Sequence, residues 1–427
     1  LFDLLDYKVI QVMNLTDVGH LLNDADDGED KLEVQARKEK IDPWQLVEKV
    51  SKQFFIDLDA LDVRPAHHYP RATDHIPEMV EIIRTLLEKG HAYKVGENIY
   101  FDVHSFPGYG NLSGNRIEEL EAGARIQVNE EKRHPADFAL WKSDERHIMK
   151  WDTEFGANGF PGWHVECSAM AMKYLGESFD IHTGGEDNVF PHHECEIAQS
   201  ECATGVTFAT TWMHTKFLKV DGGKMSKSLG NFFTIRDVMD KFHPEVIRYF
   251  IVSSHYRSPV NFSDVALKEA KTALSRFYHS FKAYQQAYGD TQVDTLDETL
   301  LERFNSAMRD DFNTAEAIAV LFEVNKELNR AVKEQQTEQA AIYYATLRHL
   351  TNILGLVQHN VEEFLKSDIG QEALALSEEQ IEDLIQQRQD AKKAKEFAKA
   401  DEIRQSLLDQ GVVLEDTRQG TIWRRAD

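Results

Sequence analysis

Three residues of types that commonly bind zinc, Cys167, His192 and Glu196, carry the first chemical signal in the sequence. His192 and Glu196 are four residues apart on a predicted helix, which puts both side chains on one face. Cysteine, histidine and glutamate form a plausible ligand set for Zn²⁺, and three protein ligands leave a fourth position open. The alternatives are a solvated helix face and a small buried cysteine, and the residues alone leave them open.

A second set of chemical groups lies in the segment Lys224-Met-Ser-Lys-Ser228, which follows a predicted strand and two glycines. The glycines allow a loop to close, and Lys224 and Lys227 are spaced so that both can reach phosphate oxygens. Such cations stabilise the charge that builds up on a leaving pyrophosphate. An ordinary exposed loop is the alternative, but five consecutive motif residues followed by Gly230 and Asn231 make chance a poor explanation.

The hydrophobic pattern predicts the elements that position these groups. Pro191 opens a helix that carries His192 and Glu196. The other elements predicted for this half of the chain are a strand at Tyr7–Thr16, helices at Pro43–Leu61 and Ile76–Lys89, a strand-rich region around Asn98–Val103, a strand at Phe179–His182 that runs into Thr183-Gly-Gly185, and a strand at Trp212–Val220.

The second half of the chain has a helical pattern. Long helical periods from Ser263 to about Gly370 predict a bundle, because most of this stretch lacks glycine and proline. A helical hairpin at Ser377–Gln410 and two short strands, one after Gly411 and one at Gly420–Arg425, complete the prediction.

Composition excludes some classes of protein. The chain has 427 residues, a net charge of −25 and no apolar run long enough to span a membrane. Three cysteines without a Cys-x-x-Cys pair cannot build a disulfide framework and fit a reducing cytoplasm. The acidic charge argues against general affinity for nucleic acid but leaves room for a local basic face. The stretch Asn23–Asp30 fails as a calcium loop: with Asp24 as position 1, Gly28 falls at position 5 instead of 6, and Gln35 stands where Glu is needed. It is predicted to be a solvated turn.

The segment Lys224-Met-Ser-Lys-Ser228 is the second signature of class I aminoacyl-tRNA synthetases, and the surrounding sequence resembles the cysteinyl enzymes of that class. The segments that carry the resemblance are Pro70–Thr73, Asp137–Lys142, Pro161–Met170, His182–Asp187, Phe190–Gln199, His255–Arg257 and Asp310–Thr314. The resemblance covers essentially the whole chain. It implies an α/β fold with a Rossmann-like catalytic domain, an inserted connective region, a helical bundle and a small mixed α/β C-terminal domain.

The resemblance also implies domain boundaries. The expected parts are the first part of the catalytic domain at 1–90, the connective insertion at 91–160, the second half of the catalytic domain at 161–220, the signature loop and stem-contact region at 221–262, the helical bundle at 263–370, and the anticodon-recognition domain at 371–427.

The function implied is ATP-dependent ligation of L-cysteine to its tRNA, tRNA(Cys), through a cysteinyl-adenylate. Zinc held by Cys167, His192 and Glu196 would bind the substrate thiolate directly. The other implied roles are substrate binding by Thr16, Trp163 and His182, binding of ATP with Mg²⁺ by Gly184, Gly185, Asp187, Lys224 and Lys227, and tRNA binding by Lys392, Phe397, Asp401, Asp416 and Trp423. A cytoplasmic monomer is expected.

The sequence departs from the family in two places. The first signature, His-x-Gly-His, should precede Tyr7–Thr16, and a cysteine that would be a fourth zinc ligand belongs to the same missing segment. Asp17-Val-Gly-His20 does not replace the signature, since it begins with Asp and follows the predicted strand. Lys392 and Phe397 stand where the family often has Arg and Trp.

Two alternative functions stay open at this point. One is a paralogue that ligates cysteine to an amino sugar, which would not need the tail at Asp390–Arg425. The other is a catalytically impaired relative that still binds tRNA or zinc, suggested by the missing first signature. The intact segment Lys224–Ser228 argues against the second alternative. A zinc hydrolase is disfavoured by the lack of a His-Glu-x-x-His arrangement.

Overall fold

The computed structural model describes residues 1–19, 30–117, 131–220, 223–225, 233–289, 293–366, 376–417 and 420–425. The chain divides into two compact units. The first comprises Phe2–Asp59 and Val63–Phe217, and the second comprises Leu1, Ala60–Asp62 and Leu218–Asp427. Most of the predicted acidic turn and the signature residue Lys227 lie outside the described residues. The finer division into six parts stays a prediction.

The part of the chain up to Phe217 mixes helices and strands. Its helices are α1 (Lys31–Glu39), α2 (Pro43–Ala60), α3 (Ile76–Lys89), α4 (Trp163–Leu175) and α5 (Glu194–Thr204). Its strands are β1 (Ala92–Val95), β2 (Asn98–Phe101), β3 (Phe138–Ser143), β4 (Trp151–Thr153), β5 (Gly156–Pro161), β6 (Phe179–Gly185) and β7 (Ala209–Thr215).

The strand-rich region predicted before Pro161 is a five-stranded antiparallel sheet in the order β1-β2-β3-β5-β4. Apolar side chains of β2 and β3, including Ile99, Phe101 and Leu140, are buried in the core that the sheet shares with α3. Gly159 on β5 has to be glycine, because a Cβ there would lie 2.0 Å from the indole nitrogen of Trp141. Strand β5 therefore packs closely against the Trp141 side chain of β3 just before the chain enters α4.

Strands β6 and β7 form a parallel pair connected through α5, which is a βαβ arrangement. The register pairs His182 with Trp212 and Gly184 with His214. Helices α3, α4 and α5 pack against one another through buried residues such as Met79, Val165 and Cys195. This packing fixes α4 beside α5.

Three predicted elements differ from the structure. Tyr7–Thr16 is extended but forms only isolated bridges, Val12 with His68 and Leu15 with Arg71. Its partner segment contains Pro70, which has no N–H for a continuous ladder. Trp212–Val220 is split between β7 and β8, two strands of different sheets. The helix expected from Pro191 begins as a wider turn at Val189–His193, and regular α-helix begins at Glu194.

The second unit is mostly helical, as predicted. Its helices are α6 (Ile235–Met239), α7 (Pro244–Val252), α8 (Asp264–Tyr288), α9 (Glu298–Arg309), α10 (Thr314–Lys333), α11 (Thr337–Ile353), α12 (Val361–Lys366), α13 (Glu378–Lys393) and α14 (Phe397–Asp409). Its strands are β8 (Leu218–Val220), β9 (Gly223–Lys224), β10 (Val260–Phe262), β11 (Val412–Thr417) and β12 (Gly420–Arg425).

These elements form a bundle and a small terminal module. Helices α7 to α12 share one apolar core, which includes Phe304, Leu321 and Leu347. The hairpin α13–α14 packs on the antiparallel pair β11–β12 around a second core. Among the described residues, no helix is both long enough and apolar enough to cross a membrane.

A buried carboxylate lies inside the bundle. Glu245, in the first turn of α7, accepts hydrogen bonds from the Tyr278 hydroxyl and from the Gln358 backbone N–H, the latter at 2.8 Å. Burial raises the pKa of Glu245, and these two donors act against that rise. The Tyr278 ring stacks on Phe364 with the ring centroids 3.8 Å apart. One polar contact thus joins α7, α8 and the segment that leads into α12.

We expect Tyr278→Phe to lower the free energy of unfolding by about 1–3 kcal/mol, because it removes a donor from a buried carboxylate. Tyr249→Phe is the matched control: Tyr249 is also buried in this core, and the structure shows no hydrogen bond from its hydroxyl within the described residues. Urea denaturation of both variants gives the comparison. Equal effects of the two substitutions would contradict the assigned role of the Glu245 contact.

Candidate active site

The three candidate zinc ligands come together in the structure. Ligand atoms of Cys167, His192 and Glu196 all lie within 4.8 Å of one another, and the three residues are buried. Cys167 comes from α4, Glu196 from α5, and His192 from the turn just before α5. The packing of α4 against α5 therefore brings a thiol, an imidazole and a carboxylate to one point.

Glu196 is the centre of this cluster. His192 Nε2 lies 2.8 Å from one of its carboxylate oxygens, and His182 Nε2 lies 3.2 Å from the other. Burial raises the pKa of Glu196, but the two imidazoles outweigh it and hold the pKa well below its usual range. The carboxylate is therefore ionised although its side chain is only 1% exposed.

The Cys167 thiol has the opposite environment. Burial raises its pKa well above the usual range, and the negative charges of Glu196 and Glu166 raise it further. The Asn14 side-chain amide lies 3.4 Å from the sulfur and donates to it. A cation at this point would reverse the effect, because a bound metal ion favours the thiolate. The cluster therefore suits a thiolate only together with a positive charge.

Two histidines that the sequence analysis did not single out belong to the same neighbourhood. His164 Nδ1 lies 2.8 Å from His192 Nδ1, so the nitrogen of His192 that faces away from Glu196 also has a partner. His193 Nδ1 lies 2.8 Å from His214 Nε2, and burial lowers the pKa of His193 to about 3. In the sequence, His164 follows Trp163 and His193 follows His192. This adjacency is the signal that could have identified the two histidines as site residues.

Two of the three residues expected to bind substrate lie next to the cluster. The Trp163 ring packs on the His192 ring with centroids 4.0 Å apart, and His182 contacts Glu196 as described. Thr16 is exposed on the extended segment, two residues beyond Asn14.

The residues expected at the ATP ribose lie at the carboxyl end of β6. Gly184 and Gly185 are the last residues of β6, paired with His214 and Thr215 of β7. Gly184 has to be glycine, since a Cβ would lie 2.6 Å from the His193 ring. Asp187 follows in an exposed turn. Ligands of open α/β folds bind at this end of the strands, so the position suits the expected role.

Of the two signature lysines, the structure describes the backbone of Lys224 alone. Lys224 ends the short strand β9 and pairs with Lys219 of β8. Lys227 lies outside the described residues.

In the C-terminal module, two of the residues expected to bind tRNA are paired within the protein. Asp416 accepts two hydrogen bonds from Arg388, at 2.8 and 3.0 Å, and one from Lys392 at 2.8 Å. These cations hold the pKa of Asp416 far below its usual range. Arg388 is buried, with its side chain 2% exposed, so the pair compensates a buried charge.

The expectation for Trp423 needs correction. Its ring is 4% exposed and belongs to the core of the module together with Ile381 and Leu414. Its indole N–H donates to Glu382 at 2.9 Å. The ring packs inside the protein in this structure and is not presented for stacking on a base, because Trp423 points from β12 towards the helical hairpin.

Phe397 and Asp401 lie on the surface of the module. Phe397 is 62% exposed at the start of α14, and Asp401 is exposed one turn further along. The lysines around Phe397 are exposed as well: Lys392, Lys393, Lys395 and Lys399. An exposed aromatic ring among cations is an arrangement suited to unpaired bases and phosphates.

Three segments of the chain match known domain families. Residues 1–272 match the catalytic domain of class I (C) tRNA synthetases, residues 303–358 match the DALR domain, and residues 376–424 match the cysteinyl-tRNA ligase anticodon binding domain. The first of these matches alone covers more than half of the chain. The third coincides with the module that carries Phe397 and Asp416.

Individual proteins agree with the family match. The chain is 61% identical to the cysteine–tRNA ligase of Acinetobacter baumannii over 424 residues, which are 99% of this chain and 87% of that protein. It is 45% identical over 425 residues to the cysteine–tRNA ligase of Chlorobaculum tepidum, covering 98% and 86%. A solved structure of Mycobacterium tuberculosis methionyl-tRNA synthetase bound by methionyl-adenylate shares the fold, with a TM-score of 0.57 at 15% identity over 82% of this chain and 83% of that one. The chain therefore belongs to the cysteine–tRNA ligase family of class I aminoacyl-tRNA synthetases.

Proposed function

We propose that this protein, which as a member of its family uses ATP to join cysteine to tRNA, selects its amino acid through a zinc ion held by Cys167, His192 and Glu196. The observation that supports the proposal is that the ligand atoms of these three buried residues all lie within 4.8 Å of one another. The donor set fits zinc, because sulfur, imidazole nitrogen and carboxylate oxygen are its usual ligands and three of them leave one position open. When bound, zinc supplies a direct bond to the substrate thiolate.

Such a bond explains selectivity against serine. Serine and cysteine differ by one atom, and a pocket of the right shape separates them poorly. A soft sulfur ligand bonds zinc well, whereas a neutral hydroxyl does not. Sites that require a specific bond reject an analogue lacking it by about 10⁴–10⁵ without editing.

The surrounding side chains position the ligands. His164 contacts the second ring nitrogen of His192 and fixes the ring orientation, as partners of metal-binding histidines commonly do. Trp163 packs on the same ring. His182 contacts the second Glu196 oxygen and has its side chain 17% exposed, so it lies between the cluster and solvent. We assign His182, Trp163 and Thr16 to the walls of the cysteine pocket.

The activation step follows the pattern of the class. Gly184, Gly185 and Asp187 bind the ribose of ATP at the carboxyl end of β6, and Lys224 and Lys227 bind the triphosphate together with Mg²⁺. The cysteine carboxylate attacks the α-phosphate and pyrophosphate leaves. A ribose hydroxyl of tRNA(Cys) then attacks the carbonyl of the adenylate, which forms the ester and releases AMP. Catalysis rests on positioning and charge neutralisation.

The C-terminal module is the proposed reader of the anticodon. Phe397 offers a stacking surface, Lys392 and its neighbours meet phosphates, and Asp401 accepts from a base edge. Asp416 acts by holding Arg388 and Lys392 in place. The match of residues 376–424 to an anticodon binding domain argues against the amino-sugar alternative, which has no use for such a module.

We expect Cys167→Ala to abolish tight zinc binding at this site and to reduce discrimination between cysteine and serine. The reason is that the variant removes the soft ligand and leaves only His192 and Glu196. Elemental analysis of the purified protein measures zinc, and calorimetric titration with cysteine and serine measures selectivity.

Cys202→Ala is the matched control. Cys202 is also a buried free cysteine, burial raises its pKa to about 11, and it belongs to the apolar core. It should leave the metal content and the preference for cysteine unchanged. Retention of cysteine selectivity by metal-free Cys167→Ala protein would refute the zinc proposal.

We also expect Phe397→Ala to weaken binding of tRNA(Cys) by about 5- to 150-fold, since stacking of one base on an aromatic ring contributes about 1–3 kcal/mol. The melting temperature should stay unchanged, because the ring is largely exposed. Leu408→Ala serves as the control: Leu408 is a 45% exposed apolar residue on the same helix, away from the lysines. Filter binding with a cysteine-anticodon tRNA and an anticodon-swapped tRNA makes the measurement. Equal losses for both variants would show that Phe397 does not read the anticodon.

A further inference from the structure

A second cluster of ligand-type side chains lies in the first unit and shares no residue with the Cys167 cluster. It consists of Asp30, Glu33 and His147, whose ligand atoms lie within 4.8 Å of one another. Asp30 is the N-cap of α1, Glu33 lies in the first turn of α1, and His147 lies between β3 and β4. Two distant segments of the chain thus meet through groups that bind cations.

The hydrogen bond of His147 defines which of its nitrogens is free. Nδ1 lies 2.8 Å from the carbonyl oxygen of Met149. A carbonyl only accepts, so Nδ1 carries a proton. Nε2 faces two oxygens, the Gly19 carbonyl at 3.3 Å and Asp30 Oδ2 at 3.4 Å. The ring is stacked on Phe160 with centroids 4.0 Å apart, which holds this orientation.

Asp30 directs an oxygen without a donor to the same point. Its Oδ1 accepts from the Leu32 backbone N–H at 2.7 Å. Its Oδ2 is buried and has no hydrogen-bond partner within the described ranges, and the Asp30 side chain is only 2% exposed. Gly19 permits this approach, because a Cβ at that position would lie 1.7 Å from Oδ2.

Glu33 adds further negative charge. One of its oxygens accepts from the Ile148 backbone N–H at 2.6 Å, and its charge raises the pKa of Asp30 beyond the effect of burial. Two carboxylates, a carbonyl oxygen and an imidazole nitrogen therefore converge. Such a group needs a proton, on Nε2 or on a carboxylate, or a metal ion between its members.

Two distances around His147 Nε2 fit a bound metal ion. In a tetrahedral zinc site with bonds of about 2.0–2.1 Å, neighbouring ligand atoms are about 3.3–3.4 Å apart. The two contacts of Nε2, at 3.3 and 3.4 Å, have this length, and the Glu33 ligand atom lies within 4.8 Å of the others.

We propose that Asp30, Glu33, His147 and the carbonyl oxygen of Gly19 form a second metal site, which takes a divalent transition-metal ion of the size and geometry of zinc. The proton on His147 Nδ1 and its bond to the Met149 carbonyl match the usual outer contact of a metal-binding histidine. No position is left for chemistry on the substrate cysteine. The ion joins the start of α1 to the loop between β3 and β4, and its role is structural.

The test is zinc stoichiometry in full-length protein. Wild-type protein, stripped with a chelator and then dialysed against a slight excess of zinc, should bind two zinc ions per chain. Cys167→Ala and Asp30→Asn should each bind one, and the double variant none. Asn still caps a helix, so Asp30→Asn keeps the bond to Leu32 while it loses the charge; His147→Gln is the second variant.

Asp42→Asn is the matched control, because Asp42 accepts from the Trp44 N–H at the start of α2 outside the cluster. It should keep both ions. Zinc should also raise the melting temperature of Cys167→Ala but not that of the double variant.

The other possible zinc stoichiometries distinguish the second site from the Cys167 site. One zinc in wild-type protein that is lost in Cys167→Ala would overturn the second site and identify the cluster as a protonated histidine–carboxylate contact. Two ions that survive both Asp30→Asn and His147→Gln would overturn it as well. One zinc that survives Cys167→Ala and is lost in Asp30→Asn would support the second site while refuting zinc at Cys167.

Discussion

Burial of the Glu196 carboxylate is the constraint around which the first unit is organised. A carboxylate taken out of water stays ionised only if positive or donor groups surround it. Here two imidazoles contact its two oxygens, one from the middle of β6 and one from the turn before α5. Those imidazoles hold β6 and the start of α5 together, and the packing of α4 against α5 brings Cys167 to the same point.

Small residues permit these close approaches. Gly184 leaves room for the ring of His193, Gly159 for the indole of Trp141, and Gly19 for the carboxylate of Asp30. In each case a methyl group would overlap a polar side chain. The close approach of Asp30 therefore depends on the missing side chain of Gly19, and the position of the His193 ring beside the Cys167 cluster depends on that of Gly184.

In the terminal module, the residues that form the core are different from the residues that we propose to contact tRNA. Its core contains Trp423, and its only strongly buried cation among the described residues, Arg388, is compensated by Asp416. The remaining lysines of the hairpin face solvent with Phe397 among them. In a chain of net charge −25, such a local group of exposed lysines is suited to contact the phosphates of a tRNA.

The sequence by itself determined the family, the order of the helical bundle and terminal module, and the types of ligand at Cys167, His192 and Glu196. Those features depend on local spacing, periodicity and motif residues, which are visible in one dimension. The tertiary structure decided whether Tyr7–Thr16 is a full strand, because that depends on a partner segment containing Pro70. It also decided that the Trp423 ring is buried and that Asp416 is paired. The approach of His147 to Asp30, which is 117 positions away, was equally invisible in the sequence, because spacing along the chain carries no information about which distant side chains share a buried point.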